Sequence, residues 1–246
     1  IAHNGELNTD KKNRISENAI ALSKKRSIIG PYGQSDSCRL DQTLQTRLFE
    51  EEIDIVTAVV SMMPPAWEKD KKISKKARDM LEYFSLYEEK NDGPAALIFC
   101  DGNIVGARLD RLGLRPLRST ETTEYLAVMS EAGQIDFPPE TIISLGRIEA
   151  GGMLYYDHLE KKIFNTEQAI KNISEKVDYN SKLIESRSYL SDLDYIPFSK
   201  EVIKKEDFSL HGKYVAYSHN QESFKFLMDP MLSSGTEKVS ALGYGN

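Results

Sequence analysis

The chain has 246 residues and a formal net charge of −6 at pH 7, with 32 Lys and Arg against 38 Asp and Glu. This length suffices for one large domain, or for one domain and part of another. Without a basic excess, nucleic acid is excluded as the main partner, and no apolar run approaches the ~20 residues that span a bilayer. The two cysteines provide no disulfide framework and fit a reducing cytoplasm.

The chain opens on an Asn-Gly pair, Asn4-Gly5. The two residues offer a side-chain amide beside an unhindered backbone N–H, the donor pair that acyl-transfer enzymes direct at a developing oxyanion. An isolated Asn-Gly pair is more often a simple turn, so the residues alone leave both interpretations open.

A second polar segment, Ser35-Asp36-Ser37, precedes apolar residues at helical spacing, Leu40, Leu44 and Leu48. This pattern is typical of a helix N-cap. On the residues alone, a capping role for Asp36 is favoured over a role in ligand binding.

Amphipathic spacing predicts four helices in the first third of the chain. Their ranges are residues 10–26, 38–52, 54–63 and 73–87. The first has a narrow apolar stripe, the third is more buried and is stopped by Pro64-Pro65, and the fourth has an unbroken apolar face.

A change of period after Asn91 predicts strands. Their ranges are residues 95–100, 104–108, 125–129, 153–156 and 162–164. The first two form a hairpin across Asp101-Gly102-Asn103. Two short helices, 166–175 and 179–187, and a polar connection, 190–208, come later. Helices and antiparallel strands in separate blocks indicate an α+β fold.

The opening segment, His3-Asn4-Gly5-Glu6-Leu7-Asn8-Thr9, differs at one position from the His-Asn-Gly-Glu-Ile-Asn-Thr of the glutamine amidotransferase domain of glutamate synthase large subunits. Ser35-Asp36-Ser37 resembles the Ser-Asp-Ser of the same family. Further collinear matches are Met62 to Trp67, Asp92 to Ala96, Leu109 to Pro116 with Leu112 in place of an Asn, Met129 to Gly133, and Phe137 to Glu140. The resemblance therefore extends over most of the chain.

By this resemblance, Asn4 and Gly5 form the oxyanion hole, and Glu6 and Asp36 hold the α-amino end of glutamine. The implied fold is the four-layer α-β-β-α sandwich of the N-terminal nucleophile hydrolases, incomplete here and followed by a helical linker. We expect residues 1–165 to be the C-terminal part of the amidotransferase domain, 166–210 the linker, and 211–246 the start of the central domain of glutamate synthase.

Amidotransferases of this class attack glutamine with an N-terminal cysteine, whose amine serves as the base. Residue 1 here is Ile, and Cys38 and Cys100 have the sequence surroundings of small core or near-core residues. We therefore expect the chain to begin after the nucleophile and after the Arg that binds the glutamine carboxylate. On its own it is expected to be inactive.

The resemblance implies an enzyme, glutamate synthase, that hydrolyses glutamine to glutamate and ammonia and uses the ammonia to convert 2-oxoglutarate into glutamate. Its FMN and iron–sulfur cluster are expected outside this chain, with no cofactor site within it. Expected partners are glutamine, the remaining domains of the same polypeptide and a small NADPH-oxidising subunit. The electron donor stays open between a nicotinamide and ferredoxin.

Two alternatives remain: another class II amidotransferase, such as an asparagine or amidophosphoribosyl transfer enzyme, or a non-catalytic scaffold of the same fold. Asp92-Gly93-Pro94-Ala95-Ala96 together with Leu109-Asp110-Arg111 favours glutamate synthase over the first alternative.

Two kinds of polar residue, the histidines and two arginines, are left out of the expected site. The four histidines have no spacing that predicts a metal site, and His3 is expected to pack behind the oxyanion pair. Arg111 and Arg115 flank Gly113 in a loop that could reach the glutamine pocket, but Arg115-Pro116 is equally typical of a structural corner.

Overall fold

The computed structural model describes residues 1–25, 33–86, 88–189, 212, 214, 217 and 219–235. The chain divides into two compact units, Ile1–Asp192 and Leu193–Asn246. In the second unit, the described residues form helical segments at Gln221–Ser223, Phe224–Met228 and Asp229–Ser234. No helix in the described ranges is long and apolar enough to cross a bilayer.

Six α-helices are described in the first unit. They are α1 (Asp10–Ser23), α2 (Asp36–Phe49), α3 (Ile55–Met62), α4 (Lys75–Ser85), α5 (Thr166–Glu175) and α6 (Tyr179–Ser186). Ser35, Asp54 and Ser74 cap α2, α3 and α4, because each side chain accepts a hydrogen bond from the backbone N–H three residues later. Local side-chain chemistry thus determines where these three helices begin.

Eight strands in the described residues form two antiparallel sheets. They are β1 (Ala2–Gly5), β2 (Ala95–Cys100), β3 (Ile104–Leu109), β4 (Arg118–Thr122), β5 (Leu126–Met129), β6 (Ile142–Arg147), β7 (Met153–Asp157) and β8 (Lys162–Asn165). The larger sheet has the order β1-β2-β3-β7-β8 and the smaller one the order β5-β4-β6. β1 is therefore an edge strand of the larger sheet.

The main hydrophobic core lies between the helices and one face of the larger sheet. Alternate residues of β2, Ala95, Leu97 and Phe99, face this core, and every residue of α3 is buried. Ile173 of α5 and Tyr179 of α6 belong to the same core. These two helices, which were expected to form a linker, thus pack with the sheet, and the first compact unit extends beyond them.

The opposite face of the larger sheet meets the smaller sheet through a second apolar cluster. Its buried members are Ala96, Ala107, Leu109, Leu117 and Ile148, with Val128 of β5 and Leu154 of β7 packed against them. Elsewhere on this face, Ile98 and Val105 are 39% and 42% exposed. The two faces of the sheet therefore differ sharply in how completely they are covered.

A buried group of charges joins α1, α2 and the segment after α4. Arg47 lies 2.9 Å from Glu88, 2.8 Å from Glu17 and 3.0 Å from Glu51, and we call these four residues the charge cluster. Burial raises the pKa of Glu17 to about 7, although the positive charge of Arg47 opposes this rise. One buried arginine thus serves three carboxylates, of which Glu51 is partly exposed and also pairs with Lys24.

The α+β class is confirmed, as are the four early helices and the hairpin of β2 and β3. The described residues provide a helix layer and two sheets of the expected four-layer sandwich. The division at residues 165 and 210 stays a prediction, and the polar connection at 190–208 lies outside the described residues.

Three expectations were wrong. No strand was predicted for the opening segment, but it forms β1, because it pairs with β2 over Ala2 to Gly5. Strands β4 and β6 were not predicted at all. Cys38 and Cys100 were expected in or near the core, yet both are exposed, since Cys38 lies in the exposed first turn of α2 and Cys100 on the less covered face of β2.

Candidate active site

The free edge of β1 presents the backbone N–H of Gly5. Antiparallel strands exchange hydrogen bonds at alternate residues. The N–H of Glu6 donates to the carbonyl of Pro94 at 2.9 Å, so the N–H of Asn4 also faces β2 and that of Gly5 points the opposite way. No described strand covers that edge, which leaves the Gly5 N–H available to a ligand.

Two glycines allow β1 and the segment before β2 to approach closely. Gly5 has a φ of 147°, and a Cβ built on it would lie 1.7 Å from the carbonyl oxygen of Pro94. Gly93 has a φ of 144°, and its Cβ would lie 2.2 Å from the carbonyl oxygen of Glu6. No side chain fits at either position, so this interlock fixes where the Gly5 N–H points.

The side chain of Asn4 lies at a cavity of about 270 Å³ between the larger sheet and β5. The cavity is lined by Ala2, His3, Asn4, Ala96, Ile98, Arg115, Pro116, Leu117, Val128, Met129 and Ser130. Arg115 Nη2 donates a hydrogen bond to Asn4 Oδ1. Within the described part of the chain, Asn4 Nδ2 has no partner, and it can donate to a ligand.

Asp110 organises the loop that carries Arg115. Its buried carboxylate accepts hydrogen bonds from the backbone N–H groups of Leu112 and Leu114 at 3.1 Å and of Arg115 at 3.2 Å. Its own N–H donates to Ala95 in β2. The loop is therefore anchored to the strand that pairs with β1.

Asp36 is the first residue of α2, and Ser35 is the residue that caps this helix. The Asp36 carboxylate accepts hydrogen bonds from the backbone N–H groups of Leu7 at 3.1 Å and Ser37 at 2.7 Å. Burial alone would raise the pKa of Asp36, but these two donors and the nearby His3 outweigh it and hold the pKa below its usual value. Asp36 thus stays ionised and ties the end of β1 to α2.

His3 and Glu6 lie on either side of this connection. His3 Nε2 lies 2.9 Å from Ser37 Oγ and 3.4 Å from Asp36 Oδ2, and its side chain is only 2% exposed. His3 therefore packs behind the edge of β1, as expected. The Glu6 side chain is exposed and makes no ion pair with another described residue.

The four expected site residues thus fall into two groups. Asn4 lines the cavity, whereas Gly5, Glu6 and Asp36 do not. Gly5 ends β1 and Glu6 follows it, and Asp36 begins α2 beside them. The arrangement offers two hydrogen-bond donors for an oxygen that gains negative charge, and two carboxylates for a cationic group. In the described ranges, no group of side chains is suited to hold a metal ion.

Arg115 is the site residue that sequence reasoning missed. Its loop was recognised as one that could reach the pocket, but the contact with Asn4 joins residues 111 positions apart. No local spacing signals such a contact.

The chain is similar to known proteins over most of its length. Residues 1–182 match the family model described as glutamine amidotransferases class-II. The chain is 30% identical over 263 residues to the NADH glutamate synthase of Schizosaccharomyces pombe, covering 98% of this chain and 12% of that protein. It is 29% identical over 258 residues to ferredoxin-dependent glutamate synthase 2 of Synechocystis, covering 99% of this chain and 16% of that protein.

Among solved structures, a similar one is the glutamine phosphoribosylpyrophosphate amidotransferase of B. subtilis complexed with ADP and GMP. It is 19% identical, with a TM-score of 0.37, over 67% of this chain and 28% of that chain.

Proposed function

Because the chain belongs to the class II glutamine amidotransferases, we propose that it is the glutamine-hydrolysing domain of a glutamate synthase. The observation that carries this proposal is the pair of donors at the edge of β1, Asn4 Nδ2 and the Gly5 N–H. The similarity to glutamate synthases over 98–99% of the chain supports the same assignment. The chain spans only 12–16% of the length of these relatives, so the activity of the whole protein is part of the proposal.

In the reaction we propose, a thiolate attacks the side-chain carbonyl carbon of glutamine, and the carbonyl oxygen becomes an oxyanion. The C–N bond then breaks, the nitrogen leaves as ammonia after taking up a proton, and water hydrolyses the thioester to glutamate. Asn4 Nδ2 and the Gly5 N–H donate hydrogen bonds to the oxyanion. The nucleophile is assigned to the family's N-terminal cysteine and not to Cys38 or Cys100.

Asp36 and Glu6 are proposed to bind the α-ammonium group of glutamine. Asp36 suits this role because its lowered pKa keeps it ionised at neutral pH. Each carboxylate oxygen accepts more than one hydrogen bond, so the contacts with Leu7 and Ser37 leave capacity for a substrate. The side chain of Glu6, the residue before Leu7, is exposed.

For the complete protein, we propose the synthesis of glutamate from 2-oxoglutarate in the cytoplasm, with FMN and an iron–sulfur cluster held by other domains. No residue of this chain is assigned to those cofactors. The names of the relatives include both NADH and ferredoxin as donors, so the donor, and with it a small NADPH-oxidising subunit, stays open.

Asn4→Ala in the full-length protein tests the proposal. A donor that acts mainly in the transition state affects kcat, so glutamine hydrolysis should fall by ~10²–10³ with little change in KM. Flavin reduction by the electron donor should keep its rate, because it does not involve this site. Asn103→Ala, at the exposed turn between β2 and β3, is the matched control. Normal hydrolysis by the Asn4→Ala enzyme would mean that Asn4-Gly5 has only a structural role in the backbone.

A further inference from the structure

Arg115 makes the hydrogen bond that determines how the Asn4 side chain is turned. We propose that Arg115 is a positioning residue, which orients the Asn4 amide so that its nitrogen faces the reacting carbonyl oxygen of the substrate. The proposal rests on the proposed function, since it assigns a role within the same oxyanion site.

The chemistry of the two side chains limits how they can meet. A guanidinium group carries only donors, whereas an amide carries one acceptor oxygen and one donor nitrogen. An amide that contacts Arg115 must therefore present its oxygen to it. The Nδ2 group of Asn4 then points away from Arg115, and this orientation does not depend on how the amide atoms were assigned.

Without such a contact, the Asn4 amide would have two nearly equivalent orientations. In one of them the oxygen would face the substrate carbonyl, and two partial negative charges would oppose each other. Fixing the amide before the reaction, with its nitrogen toward the substrate, avoids this repulsion. Such fixed orientation is the basis of electrostatic preorganisation. Asn4 is exposed, so packing alone does not fix its amide.

Arg115 is itself held in place. Asp110 accepts a hydrogen bond from its backbone N–H at 3.2 Å, and Leu117, two residues later, is buried in the cluster between the two sheets. The backbone at Arg115 is thus fixed on both sides along the chain.

Arg115 also differs from its neighbour Arg111 in how its charge is paired. Arg111 is paired with Asp92 at 2.6 Å, whereas Arg115 forms no ion pair with any described carboxylate. Its Nε lies buried without a hydrogen-bond partner in the described part of the chain. The positive charge therefore remains available at the cavity, where it polarises the Asn4 amide toward a stronger donor.

A double-mutant cycle in the full-length enzyme tests the inference. Arg115→Met should lower kcat for glutamine hydrolysis on the order of 10- to 100-fold, the cost of losing a hydrogen bond to a charged group, with KM changed less than about twofold. In the Asn4→Ala background the same substitution should change kcat by less than about threefold, because its target is gone. Arg115→Lys, which keeps one donor, should recover part of the rate.

Three outcomes would overturn it. Equal effects of Arg115→Met in both backgrounds would show that Arg115 acts independently of Asn4. A rise in KM at constant kcat would make Arg115 a substrate-binding group, and a matching loss of melting temperature and rate would make it structural. Arg118→Met, an exposed arginine at the start of β4, is the control and should retain the parent kcat.

The same data separate this inference from the proposed function. If Asn4→Ala is impaired but Arg115→Met is not, only the inference fails. If Asn4→Ala retains normal hydrolysis, the proposed function fails, and the inference that rests on it fails as well.

Discussion

Two regions place an arginine beside oxygen acceptors, with opposite results. In the charge cluster, Arg47 meets three carboxylates and is only 1% exposed. At the β1 edge, Arg115 meets one amide oxygen, and the Asn4 nitrogen and the Gly5 N–H are left for a ligand. The cluster directs its arginine at carboxylates of the protein itself, although Glu88 Oε1 is buried without a hydrogen-bond partner among the described residues. The edge leaves donors and a charge unmatched, which suits it to the ligand binding proposed above.

The largest effect is expected for Arg47→Leu, which leaves Glu17 and Glu88 buried without their cation. We expect the free energy of unfolding to fall by ~3–5 kcal/mol, while kcat per folded molecule stays unchanged. Urea unfolding followed through Trp67, the single tryptophan of the chain, measures the first quantity. As a control, Lys75→Leu removes an exposed pair with Asp79 and should cost at most ~1 kcal/mol. A similar loss for both variants would contradict the special status of the cluster.

The dependence of stability on pH tests the protonation of Glu17 within the charge cluster. The pKa of Glu17 is raised from 4.5 to about 7 in the folded protein, so between these values the native state binds more protons than the unfolded chain. Its contribution to the free energy of unfolding therefore decreases as pH rises through this window and is constant above it. Glu17→Gln removes the titration, and relative to the parent it should gain roughly 1–3 kcal/mol between pH 5 and pH 8.

Urea midpoints at several pH values provide this measurement. Glu185→Gln, at an exposed position of α6, should follow the parent curve throughout. Parallel curves for Glu17→Gln and the parent would show that Glu17 carries no excess proton at pH 6.

The smallest effects are expected at Asp36, where they distinguish glutamine binding from structural support of the fold. Asp36→Asn keeps an acceptor for the Leu7 N–H and loses the charge, so KM for glutamine should rise about tenfold with unfolding changed by less than ~1 kcal/mol. Asp36→Ala should raise KM similarly and also lower stability by ~1 kcal/mol, since the Leu7 contact is lost as well. An unchanged KM in Asp36→Asn would leave this carboxylate as a tie between β1 and α2 only.

Several of the elements that sequence patterns predicted have one apolar face. Helix α4 and the β2–β3 hairpin bury such faces, and both were found close to the expected residues. Strand β4, with the sequence Arg-Ser-Thr-Glu-Thr, has no apolar alternation, and its strand character comes from pairing with β5 and β6. Tertiary pairing overrode local propensity there.

The site divides in the same way. Asn4, Gly5, Glu6 and Asp36 were reached by motif, and their roles stay predictions. The motif did not predict two contacts. Ser35, and not Asp36, caps α2, and Arg115 donates a hydrogen bond to Asn4 Oδ1. Both depend on which side chain meets which backbone atom after folding.

The interlock of Gly5 with Pro94 has a consequence for the order of folding. Thr9 and Asp92, which extend the same contact, are 83 positions apart, and Asn4 and Arg115 are 111 apart. Contacts of this range require the closure of a long loop and form slowly. During synthesis, β1 leaves the ribosome well before its partner strand exists, and until then its peptide groups remain bound to water. The two donors of β1 therefore reach their final positions late, after the helices that lie between β1 and β2 in sequence have been made.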